Sequence, residues 1–225
     1  MDFAIDSDVH DLLPTLCVGV VEARGVDNST PHPEVDEILD DAIEGAKELL
    51  AGRKASDDPR VLPYREAFHK LGMSPSRYPS SNIALLKRIA KGKGVFRVNP
   101  IVDLGNAVSI KYGLPLGVHA MGPGETLRLR LSRPGDVFVE LGSSKPDETL
   151  EPGELVYAVG NLVQTRRWTW RQSENGKVVA ETRDLLIPID GFTDQNEDEV
   201  RAACKELVMM LQGIFGCEAS FRMVS

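Results

Sequence analysis

Three polar residues stand at helical spacing in the middle of the chain and form a first candidate site. Asn99, Asp103 and Asn106 occupy positions i, i+4 and i+7 of a segment that begins Asn99-Pro100, a typical helix start. They share one helix face, and amide and carboxylate groups at this spacing suit a ribose hydroxyl, an amino group or a water molecule. A structural interpretation explains the same residues slightly better: Asn99 caps the helix, and the polar side chains form a stripe that faces solvent. Gly105 predicts a close approach by a ligand or another backbone, because a mid-helix glycine costs roughly 1 kcal/mol relative to alanine.

A second candidate site is the segment from Val163 to Gln172, which contains both tryptophans of the chain. If the segment is one strand, alternation places on one face the side chains of Gln164, Arg166, Trp168, Trp170 and Gln172, with Arg171 on the other face. Such a surface suits stacking of an adenine, which contributes about 1–3 kcal/mol per base, or enclosure of an amino-acid side chain. Ordinary packing of the tryptophans onto the core is an equally good explanation.

A group of basic residues before the polar helix predicts a surface that faces RNA phosphates. Its members are Lys87, Arg88, Lys91 and Lys93. The net charge of −8 argues against nucleic acid, but residues 1–60 hold 15 of the 34 acidic residues and only 5 of the 26 basic ones. A phosphate-facing strip is therefore compatible with an acidic chain. A solvated helix face explains the charge run alone more simply.

The elements that position these residues follow from hydrophobic periodicity. Helical spacing predicts helices at residues 33–51, 62–71, 82–91, 99–113 and 194–215. Alternation and short apolar runs predict strands at 16–21, 126–131, 136–141, 154–158, 163–170, 185–189 and 219–224. We therefore expect one α+β domain over residues 1–225, with mixed or antiparallel sheets in a sandwich-like core flanked by helices. The motif-bearing core covers about residues 62–190.

The composition predicts a chain that folds without a metal, cofactor or disulfide. With 225 residues, of which 42% are hydrophobic, it is long enough to bury a sizeable core. Cys17, Cys204 and Cys217 are odd in number and widely separated, with no histidine at ligand spacing. The N-terminal residues lack the pattern of a secretory signal, and no apolar run reaches membrane-spanning length. We expect a cytoplasmic protein with no membrane partner.

A basic helix, the segment from Asn99 to Asn106 and Gly-Leu-Pro-Leu at 113–116 together resemble a known editing module. They are similar to the paired third-and-fourth-domain module of the phenylalanyl-tRNA synthetase beta chain, which hydrolyses wrongly charged tRNA. The resemblance covers residues 81–120, and a weaker match continues over 128–189. It implies the fold of that module, a tRNA partner and a pocket that includes Asp103 and Asn106.

The chain departs from the family pattern at two pocket positions. The family places a histidine directly after Pro-Leu, whereas this chain has Gly117 there and His119 two residues later. Trp170-Arg171-Gln172 stands where the family has a glutamate. Because these family positions sense the phenolic hydroxyl of the substrate, the resemblance implies a mischarged amino acid other than tyrosine.

We therefore predict trans-acting hydrolysis of the ester in a mischarged tRNA, without a covalent intermediate, aminoacylation activity or a DNA partner. This ester is already activated, so a positioned water and polar groups near the oxyanion suffice. Asp103, Asn106 and His119 would orient the water or the ribose. The predicted substrate-binding residues are Asn99, Gly105, Gly117, Arg166, Trp168, Trp170, Arg171 and Gln172. The alternatives are a non-catalytic tRNA or RNA-binding module and a protein that binds a free amino acid or nucleotide.

Overall fold

The computed structural model describes residues 1–147 and 149–225, which form two β-sheets flanked by helices. The helices are α1 (Ser7–Leu12), α2 (Pro33–Leu49), α3 (Leu62–Lys70), α4 (Ser81–Ala90), α5 (Pro100–Tyr112) and α6 (Glu197–Phe215). The strands are β1 (Asp2–Ile5), β2 (Leu16–Arg24), β3 (His119–Ala120), β4 (Thr126–Leu131), β5 (Leu155–Val159), β6 (Leu162–Arg166), β7 (Arg171–Gln172), β8 (Leu185–Phe192) and β9 (Glu218–Val224). The α+β class predicted from the sequence is confirmed. No helix among the described residues is long and apolar enough to cross a membrane.

The strands form one mixed sheet and one antiparallel sheet. The first has the order β1-β4-β5-β6-β7, with β1 parallel to β4 and the other pairs antiparallel. The second has the order β3-β8-β2-β9 and is antiparallel throughout. Buried side chains from both sheets belong to one hydrophobic core. A hydrogen bond of 2.6 Å from the Tyr157 hydroxyl on β5 to Asp190 Oδ1 on β8 also joins the sheets.

Helix α5 begins and ends as its sequence predicts. Asn99 Oδ1 accepts a hydrogen bond of 3.1 Å from the Val102 amide, which caps the helix. Gly113 at its other end has a φ of 69°, the left-handed conformation that glycine adopts without steric cost. A Cβ on Gly105 would lie 2.9 Å from Leu116 Cδ2 and 3.0 Å from Val118 Cγ2. The close approach at Gly105 is therefore made by side chains of the loop that leads to β3, where the sequence predicted a ligand or another backbone.

Two predicted strands differ in the structure. Strand β6 ends at Arg166, because Arg167 and Trp168 have φ values of 48° and 59° and turn the chain. The chain then returns as β7, which pairs antiparallel with β6. The prediction of one strand over residues 163–170 is therefore wrong. The prediction that Trp168 and Trp170 share one strand face is wrong for the same reason. Residues 136–141 form isolated bridges rather than a strand.

The three cysteines are buried and unpaired. Burial raises the pKa of Cys17 and of Cys204 to about 12. A Cβ on Gly19 of β2 would lie 2.3 Å from Cys204 Sγ on α6, so glycine at this position allows the helix to pack directly on the sheet. The buried thiols act as packing groups in the core.

Candidate functional site

A small cavity lies where the loop before β3, the turn after β6 and strand β8 meet. Its volume is about 60 Å³, and its polar lining includes Ser81, His119, Tyr157, Thr169, Gln172 and Asp190. Of the site residues that the sequence predicts, it gathers Gly117, His119, Trp168, Trp170, Arg171 and Gln172. The structure therefore brings the loop and the tryptophan segment together.

Asp190 is the buried acid of this cavity. It is 1% exposed, and its Oδ1 accepts hydrogen bonds of 2.6 Å from the Tyr157 hydroxyl and 2.7 Å from Trp168 Nε1. Burial raises the pKa of Asp190 to about 7, although the two hydrogen bonds act in the opposite direction. No hydrogen bond from a described residue reaches Oδ2. A carboxyl group with this pKa exchanges protons readily near neutral pH.

His119 is buried in the same cavity with both ring nitrogens unpartnered by any described residue. Burial lowers the pKa of His119 to about 4, so its imidazole is neutral at pH 7 and offers one donor and one acceptor. A Cβ on Gly117 would lie 2.9 Å from His119 Nε2, so only glycine leaves room for this ring position. A buried unpaired polar atom costs about 1–3 kcal/mol, which favours a bound water or ligand at this point.

Two hydroxyl groups add to the unpartnered polar lining. Ser81 Oγ and Thr169 Oγ1 are buried without a hydrogen-bond partner among the described residues. The Ser81 amide donates a hydrogen bond of 2.9 Å to the Thr169 carbonyl, which joins the start of α4 to the turn after β6. The N-terminal end of α4, which carries partial positive charge, therefore lies beside the cavity. Together with the two nitrogens of His119, four unpartnered polar atoms belong to residues that line this cavity.

Aromatic and guanidinium groups surround Trp170, which lines the cavity and is half-buried. The Tyr78 and Trp170 rings meet edge to face with centroids 4.9 Å apart. The guanidinium carbons of Arg167 and Arg171 lie 4.1 Å from the Tyr78 ring centre and 4.5 Å from the Trp170 ring centre, respectively. We call Tyr78, Arg167, Trp170 and Arg171 the cation–aromatic rim. Such a surface suits base stacking combined with attraction of phosphate.

The polar face of α5 does not line this cavity. Asn99 caps the helix and donates a hydrogen bond of 3.2 Å from Nδ2 to the Val178 carbonyl. Asp103 Oδ1 accepts a hydrogen bond of 3.0 Å from the Val98 amide, and burial raises the pKa of Asp103. Asp103 lines a separate recess of about 280 Å³, and Asn106 is half-buried and lines neither space.

The prediction that one cavity gathers the α5 face and the tryptophans is therefore wrong. Leu116 and Val118 pack on Gly105 and lie between the helix and the space around His119. Gly105 serves this packing. Asn99 and Asp103 hold the helix start in place, the simpler of the two interpretations that their spacing allows.

Arg166 is also not in the cavity. Its side chain is 1% exposed and forms ion pairs of 2.6 Å with Glu154 and 2.7 Å with Asp147. Further hydrogen bonds to the Thr149 hydroxyl and carbonyl occupy the remaining donors of the guanidinium. The prediction that Arg166 binds substrate is wrong, because strand alternation at β6 directs Thr165 to the cavity and Arg166 to the opposite side.

Four residues of the cavity lining were not predicted from the sequence: Asp190, Tyr157, Ser81 and Thr169. Of these four, only Asp190 could have been recognised from the sequence. It is a carboxylate that directly follows the apolar run at 185–189, and in the structure it lies inside the continuous buried strand β8. A charged residue on a buried strand needs partners and often marks a functional site.

The basic residues of α4 lie towards the end of the helix away from the cavity. Burial and the nearby charges of Arg65 and Lys91 lower the pKa of Lys87. The guanidinium carbon of Arg88 lies 4.0 Å from the ring centre of the exposed Phe96. None of the four predicted phosphate-binding residues forms an ion pair with a described acid. We call Arg65, Lys87 and Lys91 the basic patch.

Comparison with known proteins identifies the family. No curated protein sequence matches this chain. Its fold is similar to an N-terminal fragment of the phenylalanyl-tRNA synthetase beta subunit from Pyrococcus horikoshii, at 9% identity and a TM-score of 0.47. The similarity covers 100% of this chain and 54% of that fragment, so the chain spans about half its length. The B3/4 domain profile matches residues 63–216, well over half of the sequence. The chain therefore belongs to the B3/4 domain family.

Proposed function

We propose that this B3/4 domain binds tRNA and hydrolyses, in trans, the ester bond of a mischarged aminoacyl-tRNA. The observation that carries the proposal is a cavity lined by the buried acid Asp190, whose Oδ2 has no partner among the described residues, and by three residues with unpartnered buried polar atoms. A chain rarely buries this many unpaired polar atoms unless they bind something. The sequence resemblance to the synthetase editing module supports an aminoacylated tRNA end as the partner.

The two parts of the substrate are held by different surfaces. A cavity of about 60 Å³ is far too small for a nucleoside, so it receives the side chain of the amino acid. The terminal adenosine stays outside and stacks on the cation–aromatic rim. Trp170 belongs to both surfaces, because its ring lines the cavity and contacts Tyr78 of the rim.

Hydrolysis requires a base, a water and support for the developing oxyanion. Asp190 accepts a proton from the attacking water through Oδ2, while Tyr157 and Trp168 hold Oδ1. The water oxygen forms a bond to the ester carbonyl carbon, and the bond from that carbon to the ribose oxygen breaks. The proton on Asp190 then passes to the ribose oxygen. The neutral His119 N–H and the start of α4 stabilise the negative charge on the carbonyl oxygen.

Release of amino acid from mischarged tRNA is the direct test of this proposal. The purified protein is incubated with a panel of tRNAs that each carry a labelled, incorrect amino acid. We expect at least one member to lose its label at least ~100-fold faster than without protein, the lower range for general base catalysis. Binding without release from any member would contradict the hydrolase proposal and support a non-catalytic tRNA-binding module instead.

Replacing Lys87 and Lys91 together by alanine is expected to weaken tRNA binding about 10-fold at 0.1 M salt. The dependence of log Kd on log salt should become shallower by about 1–2, because two phosphate contacts are lost. Binding is measured by fluorescence titration over a salt series. The matched control replaces Lys47 on α2 and Lys205 on α6, which changes the net charge equally and should leave the slope unaltered. An equal effect of both double variants would refute a localised phosphate site.

A further inference from the structure

The loop between α4 and α5, residues 92–98, carries the most exposed large apolar side chain that the structure describes. Phe96 is 71% exposed, and Val98 two positions later is 62% exposed. The loop belongs to neither sheet. Val95 packs against the hydrophobic cluster that contains Leu86 of α4. The loop is therefore anchored to the helix on one side, while the Phe96 ring extends into solvent.

Arg88 of α4 fixes the position of this ring. Its guanidinium carbon lies over the Phe96 ring, 4.0 Å from the ring centre, and its Nε donates a hydrogen bond of 3.2 Å to the Gly94 carbonyl. One face of the ring is therefore covered by a cation, and the high exposure leaves the other face open. A nucleobase stacks on such a surface, and a ring that is already held in place loses little freedom on binding.

The basic patch borders this ring. At the end of α4, Arg88 and Lys91 are neighbours at i and i+3, and Lys87 and Lys91 are neighbours at i and i+4. Neither lysine forms an ion pair with a described acid. Their charges are therefore available to phosphates that lie beside the open face of Phe96.

The acidic helix α2 narrows the choice of partner. Arg97 of the same loop forms ion pairs of 3.4 Å with Asp36 and 2.6 Å with Asp40, so α2 lies alongside the loop. This helix carries seven acidic residues and one lysine. A flat anionic bilayer would meet these acids together with the basic patch and would be repelled by them. A single nucleic-acid strand is narrow enough to follow the basic residues alone.

We propose that Phe96, backed by Arg88, stacks an unpaired base of a single-stranded RNA segment whose phosphates contact the basic patch. The proposal rests on the tRNA-binding part of the proposed function and does not depend on hydrolysis. Stacking tolerates any base, because every base has a π-face. Affinity should therefore depend on the presence of an unpaired base and little on its identity.

The test compares two short, labelled, single-stranded RNA oligonucleotides that carry the same number of phosphates, one intact and one abasic. Phe96→Ala should weaken binding of the intact oligonucleotide about 10-fold, which corresponds to ~1.4 kcal/mol of stacking. Binding of the abasic oligonucleotide should not change. The salt dependence should stay the same for both, because no phosphate contact is lost. Fluorescence anisotropy with the full chain measures all four affinities.

Two further variants control for the loss of an exposed apolar group. Phe96→Trp keeps a stacking ring and should retain the affinity for the intact oligonucleotide. Met209→Ala on α6 removes a side chain that is 64% exposed and should change neither affinity. An equal loss for both oligonucleotides in Phe96→Ala, or no loss for either, would overturn the proposal. Binding to vesicles of phosphatidylserine and phosphatidylcholine that requires Phe96, without such a requirement for RNA, would also overturn it.

The outcomes separate this proposal from the hydrolase. RNA binding that requires Phe96, without release of amino acid from any mischarged tRNA, would sustain the stacking site and refute the hydrolase. Hydrolysis accompanied by RNA binding that is indifferent to Phe96 would sustain the hydrolase and refute the stacking site. Failure of tRNA and of both oligonucleotides to bind would refute both.

Discussion

Replacing Asp190 by asparagine is expected to reduce the hydrolysis of mischarged tRNA by a factor of about 10²–10⁴, the usual contribution of a general base. Asparagine has nearly the same shape, and its carbonyl oxygen can still accept from Tyr157 and Trp168. Binding of a non-hydrolysable analogue should therefore change little, so that kcat falls much more than KM rises. An activity within about threefold of the parent protein would eliminate Asp190 as the base.

The pH dependence provides a second measurement for the same residue. Because the pKa of Asp190 is about 7, the parent rate should rise with pH and level off above that value. Stability should change in the opposite direction. The folded chain retains a proton that the unfolded chain releases near 3.8, so folding stability falls as pH rises from about 4 to about 7.

Comparison of the parent protein with the Asp190→Asn variant separates the contribution of Asp190 to the pH dependence of stability from the contribution of His119. The pKa of His119 is lowered from 6.5 to about 4, so its contribution to stability rises with pH over that interval and partly masks the effect of Asp190. The difference in unfolding free energy between the two proteins should move in favour of the variant by up to about 4 kcal/mol between pH 4 and pH 8. Urea denaturation at a series of pH values measures it.

Replacing Arg166 by methionine is expected to lower the unfolding free energy by about 3–5 kcal/mol, because Glu154 and Asp147 would lose their buried cation. The Arg201→Met variant removes an exposed ion pair with Glu197 and should cost less than about 1 kcal/mol. Denaturant unfolding of both variants provides the comparison. If Arg166→Met folds as stably as Arg201→Met, the buried ion cluster does not support the sheet.

Much of the architecture follows from periodicity alone. The apolar stripes of α2 and α6 and the proline and asparagine at the start of α5 identify their helices because a helix exposes one face to solvent over many residues. Alternation of apolar and polar residues identifies β4 for the same reason, because Leu127 and Leu129 face the core. These elements are local in sequence, and their burial pattern is repeated often enough to be recognised.

The turn after β6 could not be predicted in this way. Arg167 and Trp168 adopt left-handed conformations that residues other than glycine rarely take, and no glycine, proline or asparagine marks the position. Tertiary contacts hold the turn, because the Trp168 amide donates to the Leu155 carbonyl and its indole donates to Asp190. The alternation of polar and apolar residues along a segment does not indicate which distant residues will contact it.

The buried acid was missed for a related reason. Asp190 gains its chemical character only when Tyr157, Trp168 and the loop bearing His119 surround it, and these lie from about 20 to 70 positions away in sequence. A resemblance based on one helical motif directed attention to α5, where Asn99 and Asp103 instead hold the helix start. The two tryptophans were found because tryptophan is rare in this chain, and His119 was found through the family resemblance.

Helix α4 links the cavity and the basic patch through one rigid element. Ser81 stands at its first position beside the cavity, and Lys87 and Lys91 follow near its other end. At 1.5 Å per residue, ten residues span about 15 Å. Under the proposed function, the helix therefore sets about 15 Å as the distance between the bound acylated terminus and a bound backbone phosphate. A free amino acid would contact only one of these two positions, whereas an extended acceptor strand would contact both.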